Sequence, residues 1–273
     1  MATLEQPPGA RADAGFEERF VEAGGFTVRH LTRGSGDTTV VYLHGGGGLH
    51  ISPVHRLLSE RFHVAAFEMP GFGSSPENTR SASLDDLAAT MAEAIAAAGT
   101  AEYALYGTSF GAAVALRIAI SHPERVRALI LESPAALRPE GSTSGDLSPE
   151  RLRAALYARP ENAPPPDRPE VIAKQLRLLG RLSGPNQDPE LIDRMRTLSL
   201  PVLVLFGTRD GLISPSIAPR YKQLLLNGYI VYVYEAAHEM QFDRPEAVAE
   251  VVVDFVARQE AFLVNATSAL INP

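Results

Sequence analysis

Short apolar runs alternate along this chain with longer segments whose apolar residues recur at helical spacing. Continuous apolar runs of about 4–8 residues are typical of strands that are buried on both faces of a parallel sheet. Such runs predict strands at residues 26–32, 39–43, 63–67, 104–106, 125–131, 201–206 and 229–234. Since helical segments separate most of these runs, we expect an α/β fold with a mostly parallel, doubly wound sheet.

One predicted helix has a clear signal at each end. Its apolar residues recur three and four positions apart, at Leu84, Leu87, Ala88, Met91, Ile95 and Ala98. Ser83 precedes this pattern as an N-cap, and Gly99 follows it as a stop. Residues 1–22, by contrast, are rich in proline, glycine and charge, and they predict a loose arm.

The alternation of strands and helices breaks at residues 135–196. We therefore expect a core formed by residues 1–134 and 197–273, with a helical insertion at 135–196 that contains helices at 170–182 and 189–198. Residues 135–195 hold nine basic and nine acidic residues, so the core carries the net charge of −7. Arginines above an acidic core favour a substrate with a carboxylate, although solvated helix faces explain the same arginines.

A serine follows the strand predicted at 104–106. Ser109 lies at the centre of a Gly-x-Ser-x-Gly pattern over residues 107–111, and an apolar helical run at 112–120 follows. A sharp strand-to-helix turn exposes a serine hydroxyl, and the glycines leave room for its strained backbone. The start of the helix points free N–H groups at the place where an oxyanion forms. The alternative is a tight turn with a solvated serine.

Two residues of matching chemistry follow later strands. Asp210 lies in a turn-rich segment after the strand at 201–206, and His238 follows the strand at 229–234. In a parallel sheet both residues share the carboxyl edge with Ser109. Histidine can accept the serine proton and return it to a leaving group, and a carboxylate holds the histidine in the required tautomer. The alternatives are a turn aspartate and a surface histidine.

A run of glycines at residues 45–48 follows His44 and the strand at 39–43. Bare N–H groups that approach a substrate closely need glycine, because a side chain would block the approach. A phosphate-binding loop is disfavoured, since no Gly-Lys-Ser/Thr follows and the spacing does not fit a dinucleotide-binding fingerprint.

Together these motifs resemble the α/β-hydrolase fold superfamily along nearly the whole chain. The matching segments are residues 44–46, 70–74, 107–111 and 207–210, and the loop around His238. The resemblance implies that Ser109 is the nucleophile, that His238 is the general base and then the acid, and that Asp210 orients His238.

The resemblance also implies an oxyanion hole and a cap. The amides of Gly46 and Phe110 would form the oxyanion hole, and Gly47 is a credible substitute for Gly46. The insertion at 135–196 would be a helical cap, or lid, over the active site. Glu68 stands where the family usually has an aspartate, which is expected to alter a loop contact and not the chemistry.

Composition narrows the classes of function. The 273 residues include no cysteine, which excludes disulfides and a thiol nucleophile. The net charge of −7 argues against nucleic acid, and no stretch approaches the 18 apolar residues of a membrane helix. We expect no metal, no cofactor and no membrane association, a cytoplasmic location and a small-molecule acyl substrate. Homo-oligomerisation stays open.

The leading hypothesis is a serine hydrolase that cleaves a carboxylic ester, thioester or lactone through an acyl-enzyme. A C–C bond hydrolase of vinylogous diketones would use the same triad and stays open. A non-catalytic small-molecule receptor is a third hypothesis, against which the intact triad argues. An epoxide hydrolase or a haloalkane dehalogenase is disfavoured, because it would need a carboxylate at position 109.

Overall fold

The computed structural model describes residues 15–139 and 148–259, and it contains a sheet of eight strands. The strands are β1 Glu17–Ala23, β2 Phe26–Arg33, β3 Thr39–Leu43, β4 His63–Phe67, β5 Tyr103–Thr108, β6 Val126–Glu132, β7 Val202–Gly207 and β8 Gly228–Val233. Their order across the sheet is β1-β2-β4-β3-β5-β6-β7-β8. The first two pairings are antiparallel and the remaining five are parallel. The predicted α/β fold with a mostly parallel sheet is confirmed.

Helices connect the strands and cover both faces of the sheet. They are α1 Pro53–Leu58, α2 Leu84–Ala97, α3 Phe110–Ser121, α4 Pro149–Leu156, α5 Pro169–Leu182, α6 Pro189–Met195, α7 Ala218–Leu224, α8 Met240–Asp243 and α9 Pro245–Arg258. Strand residues alternate between two separate apolar clusters: Val41 packs with α2 and α3 on one face, and Val40 with α1 and α9 on the other. This alternation is what a doubly wound sheet requires.

The prediction of a loose arm at residues 1–22 is wrong where the structure describes the segment. Residues 17–23 form β1, which pairs with β2 through a turn at Gly24 and Gly25. These glycines have φ of 55° and 76°, values that glycine adopts at little cost. β1 lies at the edge of the sheet and most of its side chains are exposed, so its sequence lacks an apolar run. Residues 1–14 lie outside the described part of the chain.

The helix with the clear end signals is confirmed. α2 begins after Ser83, whose hydroxyl accepts a hydrogen bond from the backbone N–H of Asp86 at 3.1 Å. The Asp86 carboxylate accepts the reciprocal bond from Ser83 N at 3.0 Å, which completes a capping box. Gly99, with φ of 82°, follows the helix end.

In the described part of the segment between β6 and β7, residues 133–139 and 148–201, the α-helices are α4, α5 and α6. α5 starts one residue before the predicted helix, whereas α6 ends at Met195, three residues earlier than predicted. The structure therefore contains the helices expected within the insertion. The division into a core and a cap at residues 135–196 stays a prediction.

Candidate active site

Ser109 lies between the last residue of β5 and the first residue of α3. Its φ is 54° and its ψ is −112°, a conformation that is strained for a residue with a side chain. Such strain persists only where the surrounding structure fixes it. The chain thus turns sharply at Ser109, and the serine is held at the carboxyl edge of the sheet.

The glycines on either side of Ser109 are needed because backbone segments nearly touch there. A Cβ built on Gly111 would lie 2.3 Å from the carbonyl oxygens of Leu43 and His44. A Cβ on Gly107 would lie 2.5 Å from the carbonyl oxygen of Gly111. The Gly-x-Ser-x-Gly pattern therefore allows the start of α3 to pack directly on the end of β3.

Asp210 and His238 are in direct contact. Asp210 Oδ2 accepts a hydrogen bond from His238 Nδ1 at 2.9 Å, and both side chains are buried. Asp210 Oδ1 also accepts hydrogen bonds from the backbone N–H groups of Leu212 and Ile213, each at 2.8 Å. Burial lowers the pKa of His238, but the charge and hydrogen bond of Asp210 more than offset this and raise it above its ordinary value.

The bond to Asp210 fixes the chemistry of the other ring nitrogen. When Nδ1 carries the proton, Nε2 of the neutral imidazole is an acceptor. His238 Nε2 is buried and has no hydrogen-bond partner among the described residues. An unpartnered acceptor of this kind is costly in a folded protein, and a general base needs one.

The histidine loop is tied to the serine turn through β6. The backbone N–H of Ser109 donates to the carbonyl oxygen of Glu132 at 2.8 Å. The neighbouring Ser133 hydroxyl donates to the carbonyl oxygen of His238 at 3.0 Å. The structure thus joins Asp210 to His238 directly and connects His238 to Ser109 through two adjacent residues of one strand end.

The glycine loop lies against the serine. A Cβ built on Gly45 would lie 3.5 Å from Ser109 Cβ. His44 anchors this loop: its Nδ1 lies 2.7 Å from the carbonyl oxygen of Gly45, and its Nε2 accepts the N–H of Met69 at 3.0 Å. Burial lowers the pKa of His44 to about 4, so the ring is neutral at pH 7 and can accept that bond.

The two candidate glycines of the oxyanion hole have different surroundings. A Cβ on Gly46 would lie 3.0 Å from Leu179 Cδ1 in α5, whereas a Cβ on Gly47 would meet no atom within 4 Å. The first-turn N–H of Phe110 opens α3, where helix geometry leaves such groups without an intrahelical partner. Which glycine amide joins the amide of Phe110 stays a prediction.

Helix α5 of the insertion covers this loop. Leu179 of this helix contacts Gly46, and Gln175 Nε2 lies 2.9 Å from the position of a Cβ built on Gly48. Lys174 Nζ donates to the carbonyl oxygen of Gly73 at 3.0 Å. α5 therefore lies above the segments that carry the candidate site, as a cap would.

A buried polar network beneath the serine turn was missed by sequence reasoning. Its side chains, joined by hydrogen bonds, are those of Tyr42, Tyr106, Thr108, Glu132, Glu239 and Gln241. Burial is the main cause that raises the pKa of Glu132 to about 8, so this carboxyl holds its proton at neutral pH. The signal available in the sequence was Glu132, a glutamate that directly follows the apolar run at residues 128–131.

Asp243 is a second buried carboxylate that the sequence did not single out. It accepts backbone hydrogen bonds from Ala237 at 2.8 Å, Ala158 at 2.9 Å and Arg159 at 2.8 Å. Ala237 precedes His238, and Ala158 belongs to the insertion. Asp243 thus fixes the histidine loop to the insertion.

The described residues contain neither a cluster of metal-binding side chains nor a helix that could span a membrane. No group of three or more histidine, aspartate or glutamate residues there is arranged to hold a metal ion. None of the helices in the described ranges has the length and apolar character needed to cross a membrane.

Comparison with known proteins defines the class. The model of the Alpha/beta hydrolase family matches residues 40–251, a range that contains the glycine loop, Ser109, Asp210 and His238. The chain therefore belongs to the α/β-hydrolase family, and it is an enzyme of the hydrolase type. This confirms the superfamily that the motifs resemble.

Two curated relatives match nearly all of their own length. A pimeloyl-[acyl-carrier protein] methyl ester esterase from Yersinia enterocolitica is 30% identical over 258 residues, covering 81% of this chain and 94% of the relative. A 2-hydroxy-6-oxo-6-(2'-aminophenyl)hexa-2,4-dienoic acid hydrolase from Metapseudomonas resinovorans is 24% identical over 276 residues. The alignment covers 91% of this chain and 94% of the relative.

Solved structures show the same fold. A membrane phospholipase A matches with a TM-score of 0.73 at 24% identity, covering 90% of this chain and 87% of that one. A serine hydrolase involved in carbazole degradation matches with a TM-score of 0.72 at 24% identity, covering 89% of this chain and 99% of that one. At this identity the likeness is one of fold.

Replacing Gly111 with alanine is expected to destabilise the protein by more than about 3 kcal/mol, because the new methyl group would overlap two backbone carbonyls. Gly180→Ala is the matched control. Gly180 lies within α5 with open space around it, so alanine should stabilise by about 0.5–1 kcal/mol. Urea unfolding of both variants measures the difference, and equal effects would contradict the close approach.

Replacing Glu132 with glutamine should make stability less sensitive to pH. The unfolded carboxyl ionises near pH 4.5, whereas the buried one keeps its proton to about pH 8, so wild-type stability falls as pH rises across this window. The slope approaches about 1.4 kcal/mol per pH unit. A glutamine side chain at this position cannot ionise and should remove that dependence.

Unfolding measured at pH 5 and pH 8 tests the ionisation of Glu132. The advantage of Glu132→Gln over wild type should grow with pH, and parallel curves would show that Glu132 ionises normally. Glu132→Ala leaves the Tyr106 and Thr108 hydroxyls without their acceptor and should lower stability at both pH values.

Proposed function

We propose that this enzyme is a serine hydrolase that cleaves a carboxylic ester, thioester or lactone through an acyl-enzyme. One observation carries the proposal: the Asp210–His238 hydrogen bond leaves Nε2 of a buried imidazole as an unpartnered acceptor, next to the strand end that holds the strained Ser109. A base, its orienting carboxylate and a serine hydroxyl are the parts that acyl transfer needs.

The first step forms the acyl-enzyme. His238 Nε2 takes the proton of Ser109 as Oγ attacks the carbonyl carbon, and the carbonyl oxygen becomes an oxyanion. His238 then gives this proton to the leaving alcohol, thiol or lactone oxygen as the bond to the acyl carbon breaks. Asp210 stabilises the imidazolium between the two transfers, which is consistent with the raised pKa of His238.

The second step releases the acid. Water attacks the acyl carbon and passes a proton to His238 Nε2, which returns it to Ser109 Oγ as the acyl bond breaks. Enzyme and base return to their starting protonation states, so the cycle needs no added cofactor.

The oxyanion would be held by two backbone N–H groups. Phe110 supplies one at the start of α3, where the helix dipole favours negative charge. Gly46 or Gly47 supplies the other, from the loop that His44 fixes to Met69. Donors held by backbone geometry need little reorganisation when charge develops.

The ester hypothesis is supported by a relative as well as by the site. The Yersinia enterocolitica relative, at 30% identity, is a methyl ester esterase, and this chain covers 94% of its length. A short alkyl ester is therefore the first substrate class to test.

The second candidate is the C–C bond hydrolase. It is favoured by the relative from Metapseudomonas resinovorans, a dienoic acid hydrolase whose alignment covers 91% of this chain. The triad would be the same, so the substrate decides between the two hypotheses.

Replacing Ser109 with alanine should reduce hydrolysis of p-nitrophenyl esters by at least about 10³-fold, because the proposed acyl-enzyme forms on the Ser109 hydroxyl. Asp210→Asn should reduce it by about 10⁴-fold, since the wrong histidine tautomer would be favoured. Ser199→Ala, at an exposed serine between α6 and β7, is the matched control and should keep wild-type rates.

A fluorophosphonate probe provides a readout that does not depend on the substrate. Wild type and Ser199→Ala should be labelled at Ser109, and Ser109→Ala should not be labelled. Folded wild-type protein that resists the probe and hydrolyses no ester would instead favour a non-catalytic receptor.

Rates on a simple ester and on a vinylogous diketone acid separate the two enzyme hypotheses. We expect kcat/KM for the ester to exceed that for the diketone acid by at least about tenfold, a difference of about 1.4 kcal/mol in transition-state stabilisation. The reverse preference, abolished by Ser109→Ala, would identify a C–C bond hydrolase.

A further inference from the structure

Glu239 places a carboxylate beside the candidate nucleophile. A Cβ built on Gly45 would lie 3.6 Å from Glu239 Oε1 and 3.5 Å from Ser109 Cβ. Glu239 Oε1 and Ser109 Cβ therefore both border the space that a side chain at position 45 would fill. Glu239 directly follows His238, and it is only partly buried.

The position of Glu239 is fixed from two sides. Its backbone N–H donates to the carbonyl oxygen of Leu156 in the insertion at 2.8 Å. Its Oε2 accepts a hydrogen bond from Gln241 Nε2 at 3.0 Å. Both partners are neutral, and no lysine or arginine of the described ranges forms an ion pair with Glu239.

The cations of the covering helix are held elsewhere. Lys174 donates to the carbonyl oxygens of Gly73 and Ser75, and Arg181 to those of Asn78 and Ser81. In the same helix, Arg177 Nε lies 3.0 Å from Glu77 Oε1. These bonds tie the basic residues of α5 to residues 73–81, so they are not free to offset Glu239.

A second carboxylate lies at the other end of the glycine loop. Asp167 Oδ2 is 3.6 Å from the position of a Cβ built on Gly48. The same oxygen accepts a hydrogen bond from Gln175 Nε2 at 3.4 Å. The loop expected to bind the oxyanion therefore has a carboxylate at each end. Negative charge near a reacting group repels a second negative charge, with a strength that depends on distance and solvent.

We propose that Glu239 sets the charge selectivity of the active site, so that it accepts esters that are neutral or cationic near the scissile carbonyl and disfavours those that carry a carboxylate there. The proposal rests on the proposed hydrolase function and narrows its substrate class. An anionic substrate would meet Glu239 while an oxyanion forms nearby, whereas a cationic group could pair with it. This proposal is opposite to the expectation that the arginines of the insertion favour a carboxylate substrate, and the experiment below decides between the two.

The test compares matched esters on wild type and Glu239→Gln. The first series consists of phenyl hexanoate itself and two derivatives that carry a carboxylate or a trimethylammonium group at the end of the acyl chain. A second series places the same two charged groups, or neither, on the alcohol. Glu250→Gln makes the same charge change at an exposed position of α9 and is the control, and Ser109→Ala reports the background.

Wild type should prefer the neutral and cationic esters to the anionic one in at least one series. Glu239→Gln should raise the ratio of kcat/KM for the anionic ester to that for the neutral ester by about 5–10-fold, and lower the cationic ratio similarly. These shifts should shrink in about 0.5 M salt, because screening weakens the interaction. Glu250→Gln should leave both ratios as in wild type.

The test compares ratios of kcat/KM because a general disturbance of the site changes kcat/KM for every ester by a similar factor. That factor cancels when the value for a charged ester is divided by the value for the neutral one. Unchanged ratios in both series, or a wild-type preference for the anionic ester, would overturn the charge-selectivity proposal while Ser109-dependent activity persists. If Ser109→Ala hydrolyses the neutral ester at the wild-type rate, the hydrolase proposal fails instead.

Discussion

The active-site architecture depends on two places where backbone segments nearly touch. At the first, Gly111 leaves no room for a Cβ against the carbonyl oxygens of Leu43 and His44, and this contact sets the glycine loop beside Ser109. At the second, a Cβ on Gly207 would lie 2.2 Å from the carbonyl oxygen of Ala237, so the strand before Asp210 packs on the loop before His238. Glycine is required at both places because any side chain would push apart the elements that carry the site.

Three carboxyl groups near His238, those of Asp210, Glu132 and Glu239, have different surroundings. Asp210 accepts hydrogen bonds from His238 Nδ1 and from the backbone N–H groups of Leu212 and Ile213. Glu132 is fully buried next to hydroxyls and keeps its proton to about pH 8. Glu239 lies at the wall of the site with neutral partners. In the proposed mechanism Asp210 orients the base and Glu239 discriminates between substrates by charge, whereas Glu132 bonds strand ends together as a neutral acid.

The insertion contributes to the site through specific contacts. α5 covers the glycine loop through Leu179 and Gln175, and Asp243 fixes residues 158–159 to the histidine loop. Movement of the insertion would therefore change both the oxyanion loop and the position of His238.

The sequence by itself determined most of the central sheet, the helix ends at Ser83 and Gly99, and the strand ends that carry Ser109, Asp210 and His238. It could do so because apolar runs, caps and glycine turns are local signals. Only the tertiary structure decided that residues 17–23 pair as an edge strand, since an exposed strand has no apolar run. It also decided the places of Glu132, Glu239 and Asp243, whose partners lie far away in sequence. Burial and neighbouring groups determine whether a carboxyl group is charged and what it does, and both depend on residues that are distant in sequence.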